Sequence, residues 1–144
     1  MKYWFFMYLL LVPYSLIAEG TGHHHHHAKI DVSDMENIPE IELLQVTEDE
    51  MSGWNLYIKT KNFEFRPDKV NSDHQHGQGH AHLYINGEKI ARLYGQWFHI
   101  AKLESSRPQI TVTLNTNNHG SYSVNGTEIA ATIVVENNSQ QKSK

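Results

Sequence analysis

The chain has 144 residues, of which 16 are acidic and 12 are basic, so its formal net charge is −4, and it contains 11 histidines and no cysteine. The lack of thiols excludes disulfides, iron–sulfur clusters, thiolate zinc sites and cysteine-ligated blue copper. The acidic balance argues against a nucleic-acid partner. What remains is nitrogen and oxygen chemistry, in which histidine is the commonest ligand for copper, zinc and nickel.

Residues 1–18 have the pattern of a secretory signal peptide. Lys2 supplies the positive start, the apolar run Trp4–Val12 follows, and Ala18 is a small residue suited to cleavage. The run is shorter than the roughly 20 residues that span a bilayer. We therefore expect cleavage after Ala18 and a periplasmic or secreted protein with no stable membrane insertion. The alternative is an uncleaved anchor, because Leu16 is large for its position in a cleavage site.

Residues 19–37 are predicted to form a histidine-rich disordered arm, since they are polar and show no apolar period. Flexible imidazoles bind copper, nickel or zinc without a fixed geometry, so the arm is expected to act as an auxiliary metal-binding tract. The alternative is the remnant of an expression tag. The ligands of the auxiliary tract would be the consecutive histidines His23, His24, His25, His26 and His27. Residues 137–144 are predicted to form a polar tail.

Residues 38–136 are predicted to form one all-β domain, because apolar residues alternate with a period of two and turn residues separate the alternating runs. We expect an antiparallel β-sandwich of immunoglobulin type with about seven to eight strands. A small closed barrel is the competing architecture. The clearest runs are residues 41–43, 54–58, 83–85, 110–114 and 129–135.

The pair Asn86-Gly87 predicts a β-hairpin, because both central positions of a type I′ turn require positive φ and these residues tolerate it. A two-residue turn would pair Leu83 with Ile90, both toward the core. Alternation along the strand would then place His80 and His82 together on the opposite face.

His80-Ala81-His82 is a His-x-His pair on a predicted strand, where neighbours on the same face lie about 6–7 Å apart and can share one ion. A specific site needs a third ligand. His99 and His119 are the candidates, because the loops of a sandwich cluster at its ends. The glycine-rich segment before the strand contains two further histidines, His74 and His76, which are predicted to be auxiliary ligands. The alternative is that both are ordinary surface residues.

Four segments between residues 53 and 126 carry a resemblance to known proteins. They are Gly53-Trp54-Asn55-Leu56, Asn62-Phe63-Glu64-Phe65 with Pro67, the more specific segment GHAHLYINGEKIARLYGQWFH, and Leu114-Asn115 with Asn118-His119. In these segments the chain resembles a group of small uncharacterised exported bacterial proteins. In architecture it also resembles the periplasmic copper-binding sandwiches of copper-resistance systems, which implies an exported copper-binding fold. Those proteins often use the mature N-terminus as a ligand, whereas the residue after the expected cleavage is Glu19.

Two metalloenzyme families give alternative interpretations of the same histidines. A cupin places its metal with a His-x-His, a nearby Glu and a later His, a set that His80, His82, Glu88 and His119 could imitate. Glu88 lies beyond the usual spacing, and the second cupin motif is absent. Copper monooxygenases of the histidine-brace type need an N-terminal histidine, so cleavage after Ala18 argues against them.

The sequence thus predicts a non-enzymatic exported protein that binds a divalent transition metal for storage, transfer or detoxification. Copper is favoured, with zinc or nickel as alternatives, and a metal-transfer protein is an expected partner. The rival is a non-catalytic interaction module that binds a protein or a glycan through aromatic residues such as Tyr84 or Trp97. The predicted ligands are His80, His82, His99 and His119.

Overall fold

The computed structural model describes residues 28–138, which form two β-sheets around one apolar core. The protein is therefore an all-β sandwich, as predicted. The expected signal peptide, the pentahistidine tract and all but the first two residues of the expected tail lie outside the described residues. Within residues 28–138 no helix is long and apolar enough to cross a membrane.

Eleven strands and a short 3₁₀ helix at Pro67–Lys69 make up the fold. Three of the strands contain only two or three residues and show no alternation, which is why the sequence predicted fewer. In chain order the eleven strands are β1 (Lys29–Asp31), β2 (Glu40–Glu48), β3 (Trp54–Lys61), β4 (Glu64–Phe65), β5 (Gln78–Ile85), β6 (Glu88–Leu93), β7 (Trp97–Ile100), β8 (Gln109–Thr116), β9 (Ser121–Val124), β10 (Thr127–Glu128) and β11 (Ala130–Val134).

Strand β5 lies at the centre of the larger sheet. One edge pairs antiparallel with β8, and the other pairs first with β4 and then with β6. The smaller sheet has the order β2-β3-β7 and is antiparallel throughout. Two short pairings, β1 with β9 and β4 with β5, are parallel, whereas the long pairings are antiparallel as predicted. The immunoglobulin-type arrangement of the strands stays a prediction.

The core lies between the two sheets and is built from alternate residues of the strands. This is the period of two that the sequence predicted, and it places the intervening residues on the outer faces of the sheets. The strand residues buried in the core are Trp54, Leu56 and Ile58 of β3, Ala81 and Leu83 of β5, Leu93 of β6, Ile100 of β7, Ile110, Val112 and Leu114 of β8, and Tyr122 of β9.

The β5–β6 hairpin has the predicted turn but not the predicted register. Asn86 and Gly87 both have positive φ, at 51° and 84°. A β-bulge shifts the register between Tyr84 and Leu83. Tyr84 lies opposite Lys89, whereas Leu83 lies opposite Ala91. The expected pairing of Leu83 with Ile90 is therefore wrong. The bulge adds one residue to β6, and Ile90 is 48% exposed instead of facing the core.

The folded domain also begins earlier than the sequence indicated. Strand β1 pairs with β9, with Lys29 opposite Ser121, and Val32 is buried in the core. The expectation of a disordered arm is therefore wrong for residues 28–37, because a three-residue strand has no period to detect. At the other end the expected tail is also ordered at Asn137, whose Nδ2 donates to the carbonyl of Leu103 at 2.8 Å.

Substitution of Gly79 by alanine should destabilise the pairing of β5 with β8. A Cβ at Gly79 would lie 1.8 Å from the carbonyl oxygen of Asn115, so one of the two strands would have to move. We expect Gly79→Ala to lower the free energy of unfolding by about 3 kcal/mol in urea denaturation. The matched control is Gly95→Ala, where a Cβ meets nothing within 4 Å and a change within about 0.5 kcal/mol is expected. Equal effects of the two substitutions would contradict this packing.

Removal of the Tyr122 hydroxyl should loosen the segment that leads into β5. This hydroxyl donates to the carbonyls of Gln75 at 3.1 Å and Gln78 at 2.9 Å. Tyr122→Phe leaves both carbonyls without that donor, so we expect a loss of about 1–2 kcal/mol near neutral pH in urea denaturation.

The same residue should contribute to the alkaline limit of stability. Burial raises the pKa of Tyr122 to about 12. A tyrosine in an unfolded chain has a pKa of about 10. The stabilisation of the fold by the neutral Tyr122 phenol is therefore complete below pH 10 and is lost as pH rises from 10 toward 12. The stability difference between the parent and Tyr122→Phe should therefore narrow over that range. A constant difference from pH 8 to pH 12 would refute the role of this phenol.

Candidate metal centre

Strand β5 places His80 and His82 together on its outer face, as predicted, because Ala81 and Leu83 between and after them point into the core. Both histidines are completely buried. Their Nε2 atoms are 2.9 Å apart, and their ring centroids are 4.8 Å apart. The outer face of β5 at this point is therefore a closed polar environment and not an ordinary solvated surface.

The contact between the two Nε2 atoms fits two chemical states. Without an ion, one ring donates its N–H to the unprotonated nitrogen of the other. With an ion at about 2.0–2.1 Å from each nitrogen, a separation of 2.9 Å corresponds to an N–metal–N angle of about 90°. That is the cis angle of square-planar or tetragonal coordination, whereas a tetrahedral site needs nitrogens about 3.3–3.4 Å apart.

His119 lies next to this pair. It belongs to the turn between β8 and β9, which the Thr116 hydroxyl closes by accepting the backbone N–H of Gly120 at 2.9 Å. His119 has a positive φ of 68°. Its ring centroid is 5.4 Å from that of His80, and its Nε2 donates to the side-chain oxygen of Asn71. The turn therefore brings a third imidazole against the pair, with one ring nitrogen directed to Asn71.

Lys89 is a neighbour that the predicted ligand set did not include. Its Nζ lies 3.1 Å from Nε2 of His82. It lies opposite Tyr84 in the hairpin, so alternation alone would have placed it on the histidine face. Burial, with a smaller contribution from the charge of Arg92, lowers the pKa of Lys89. A metal ion bound to Nε2 of His82 must displace the Lys89 amine or bind beside its positive charge.

Polar and aromatic side chains complete the surroundings of the pair. On β8, Asn115 lies opposite His80 and Thr113 lies opposite His82, and both are buried. The Thr113 hydroxyl donates to the Asn115 side-chain oxygen at 2.8 Å. The Tyr94 ring centroid is 5.7 Å from that of His80. Hydrogen bonds among these groups offset the cost of burying them and hold the outer face of β5 in one arrangement.

His99 does not join the other predicted ligands. It lies on β7 of the smaller sheet, opposite Asn55, and its Nδ1 is 3.3 Å from Oδ1 of that residue. Alternation directs His99 away from the core, so the whole core separates it from His80. The expectation that four histidines converge is therefore not met. No local pattern indicates that Trp97–Ile100 pairs with β3 of the smaller sheet and does not form a loop at the end of the sandwich.

The two auxiliary histidines of the glycine-rich segment have other contacts. His74 packs against Tyr122 with ring centroids 5.6 Å apart, and burial lowers the pKa of His74. His76 contacts the carbonyls of Glu36 at 3.1 Å and Asn37 at 3.2 Å through Nε2. Both histidines tie their loop to other parts of the domain.

A complete ligand set is not assembled in the part of the chain that the structure describes. There, no group of three or more histidine, aspartate or glutamate side chains is placed to hold a metal ion. Glu88, which the cupin alternative requires, lines a groove together with Phe98 and His99. The described residues thus supply two converging nitrogens, a third imidazole nearby and a competing amine.

Comparison of the chain with protein-family models, with curated proteins and with solved structures found no match. The two resemblances drawn from the sequence therefore stay predictions, and the case for function depends on the residues themselves.

Proposed function

We propose that this protein binds a divalent transition-metal ion, with copper(II) favoured, through Nε2 of His80 and His82. The observation that carries the proposal is the complete burial of two imidazoles whose Nε2 atoms converge to 2.9 Å. Buried imidazoles are costly unless something compensates them, and a shared ion or a shared proton does so. Both side chains extend from the same face of one central strand, and their complete burial restrains the two rings, which supplies part of the preorganisation that a metal site needs.

His119 is the third ligand in this proposal. Its ring already contacts that of His80, with centroids 5.4 Å apart. Rotation of the ring away from Asn71 would turn a nitrogen toward the pair. Asn71 lies in an exposed loop, so the exchange of its hydrogen bond for a water molecule costs little.

Lys89 favours reversible binding over permanent retention. A cation 3.1 Å from a ligand nitrogen disfavours a second cation by charge repulsion, and it can return to the nitrogen when the ion leaves. This suits storage, transfer or detoxification of the ion, with a metal-transfer protein as a partner. The pentahistidine tract, His23–His27, would capture ions and raise their local concentration, and the proposed location is the periplasm or the exterior.

The first test is calorimetric titration of the full chain in which serine replaces His23–His27, so that binding to the tract does not mask the folded site. We expect one Cu(II) site per chain. His80→Gln/His82→Gln should weaken it by at least about a hundredfold, because both fixed ligands are lost. His99→Gln is the matched control and should leave the affinity unchanged.

Circular dichroism and urea denaturation show whether each variant is folded. A folded His80→Gln/His82→Gln variant that binds Cu(II) as tightly as its parent would overturn the proposal. So would a parent that binds no copper once the tract is replaced.

The affinity for Cu(II) should decrease as the pH is lowered. Imidazole binds a metal only as the neutral ring, and its unperturbed pKa is about 6.5. Below that pH two protons must leave for each ion bound by the pair, so the apparent affinity should drop by up to about a hundredfold per pH unit. The check is the same titration from pH 8 to pH 5. An affinity that stays constant down to pH 5 is incompatible with this ligand set.

A further inference from the structure

The outer face of the smaller sheet carries an exposed aromatic pair. Tyr57 on β3 lies opposite Trp97 on β7, and their ring centroids are 4.6 Å apart with an angle of 37° between the planes. Trp97 nevertheless remains 67% exposed. A tryptophan so exposed leaves the apolar face of its ring in water, and tryptophan is enriched at binding interfaces because it combines a large apolar ring with an N–H donor.

A fixed polar pair lies directly beside the aromatic one. Asn55 lies opposite His99, two residue pairs further along the same two strands, and is therefore the next pair on the same face. The Asn55 side-chain nitrogen donates to Asp49 at 2.6 Å, which leaves its oxygen to accept from Nδ1 of His99 at 3.3 Å. With its proton on Nδ1, the exposed His99 ring presents Nε2 as an acceptor. A hydrogen-bonding group of known orientation therefore lies next to the aromatic surface.

The base of this polar pair is held by a turn. Asp49 also accepts the backbone N–H of Met51 at 2.9 Å and that of Ser52 at 3.3 Å. These hydrogen bonds, with the one from Asn55, lower the pKa of Asp49. Gly53 has φ 77°, and a Cβ there would lie 2.9 Å from the His99 ring, so the lack of a side chain leaves room for that ring. Backbone N–H donors thus hold the Asp49 carboxylate, and through it the Asn55 side chain, in place.

The charges on this face are already compensated. Lys59 pairs with Glu42 at 2.9 Å, and Lys61 pairs with Glu40 at 3.4 Å. Asp49 is neutralised in part by its three hydrogen-bond donors. Trp97 and Asn55 have no ionisable group. An ionic partner would therefore find little charge complementarity here, whereas a neutral ligand would not have to break an ion pair.

We propose that this outer face binds a neutral oligosaccharide. A pyranose has an apolar C–H face, which stacks on Trp97, and a rim of hydroxyls, which bond to His99 and Asn55. Residues two apart on a strand lie about 6–7 Å from each other, so one sugar can contact both pairs. Gln45 lies opposite Tyr57 on β2 and adds a further amide on the same face for an adjoining sugar.

This binding site is independent of the metal proposal. His80 and His82 lie on the outer face of the larger sheet, with the core between them and Trp97. Loss of either function should therefore leave the other intact, and the two proposals can fail separately.

The test is titration of the full chain with cellohexaose, chitohexaose and maltohexaose, followed by tryptophan fluorescence and calorimetry. We expect at least one of these hexasaccharides to bind. Trp97→Ala should weaken that binding by about tenfold or more, and Trp97→Phe should retain part of it. Asn55→Ala should also weaken it. Met35→Ala, at a site 47% exposed outside the proposed binding face, and the His80→Gln/His82→Gln variant are controls that should bind as the parent does.

Two results would overturn the proposal. One is that none of the three hexasaccharides binds the parent chain at millimolar concentration. The other is that a folded Trp97→Ala variant binds as tightly as the parent, which would place the sugar elsewhere on the protein.

Discussion

The burial of strand β5 on both faces is the constraint on which the rest of the structure depends. Its core face is apolar, with Ala81 and Leu83 completely buried, and its outer face buries His80 and His82 to the same extent. Both edges of the strand are also paired. Polar groups in such a position need partners, since each unsatisfied one costs about 1–3 kcal/mol. The histidine pair, the buried polar residues of β8 and the amine of Lys89 supply such partners to one another. The two converging imidazole nitrogens of this group are the basis of the proposed metal site.

The two outer faces of the sandwich carry different chemistry. The larger sheet presents buried imidazoles whose positions are fixed by backbone pairing, and the smaller sheet presents exposed aromatic and amide groups around Trp97. Because one rigid core separates them, neither face needs to move for the other to act. A protein with this plan would attach to a neutral glycan through one face and exchange a metal ion at the other.

Much of the fold could be predicted because alternation is a local property. The runs of β3, β5 and β8, the Asn86-Gly87 turn and the shared face of His80 and His82 all follow from it. What it could not predict depends on contacts between distant segments. Strand β1 is ordered only by pairing with β9, and the bulge in β6 exposes Ile90. His99 is a histidine and so a possible metal ligand, but its strand belongs to the smaller sheet. Which sheet a strand joins depends on long-range pairing and cannot be predicted from the local sequence pattern.

The most direct test of the central claim is crystallography of the copper-loaded protein with anomalous data at the copper edge. We expect an anomalous peak between the rings of His80 and His82, about 2.0–2.1 Å from Nε2 of each. His119 should have turned from Asn71 toward the ion, and Lys89 should have moved away from His82. An empty position between the two rings, with copper bound only elsewhere on the chain, would contradict the account and leave the pair as a structural hydrogen bond.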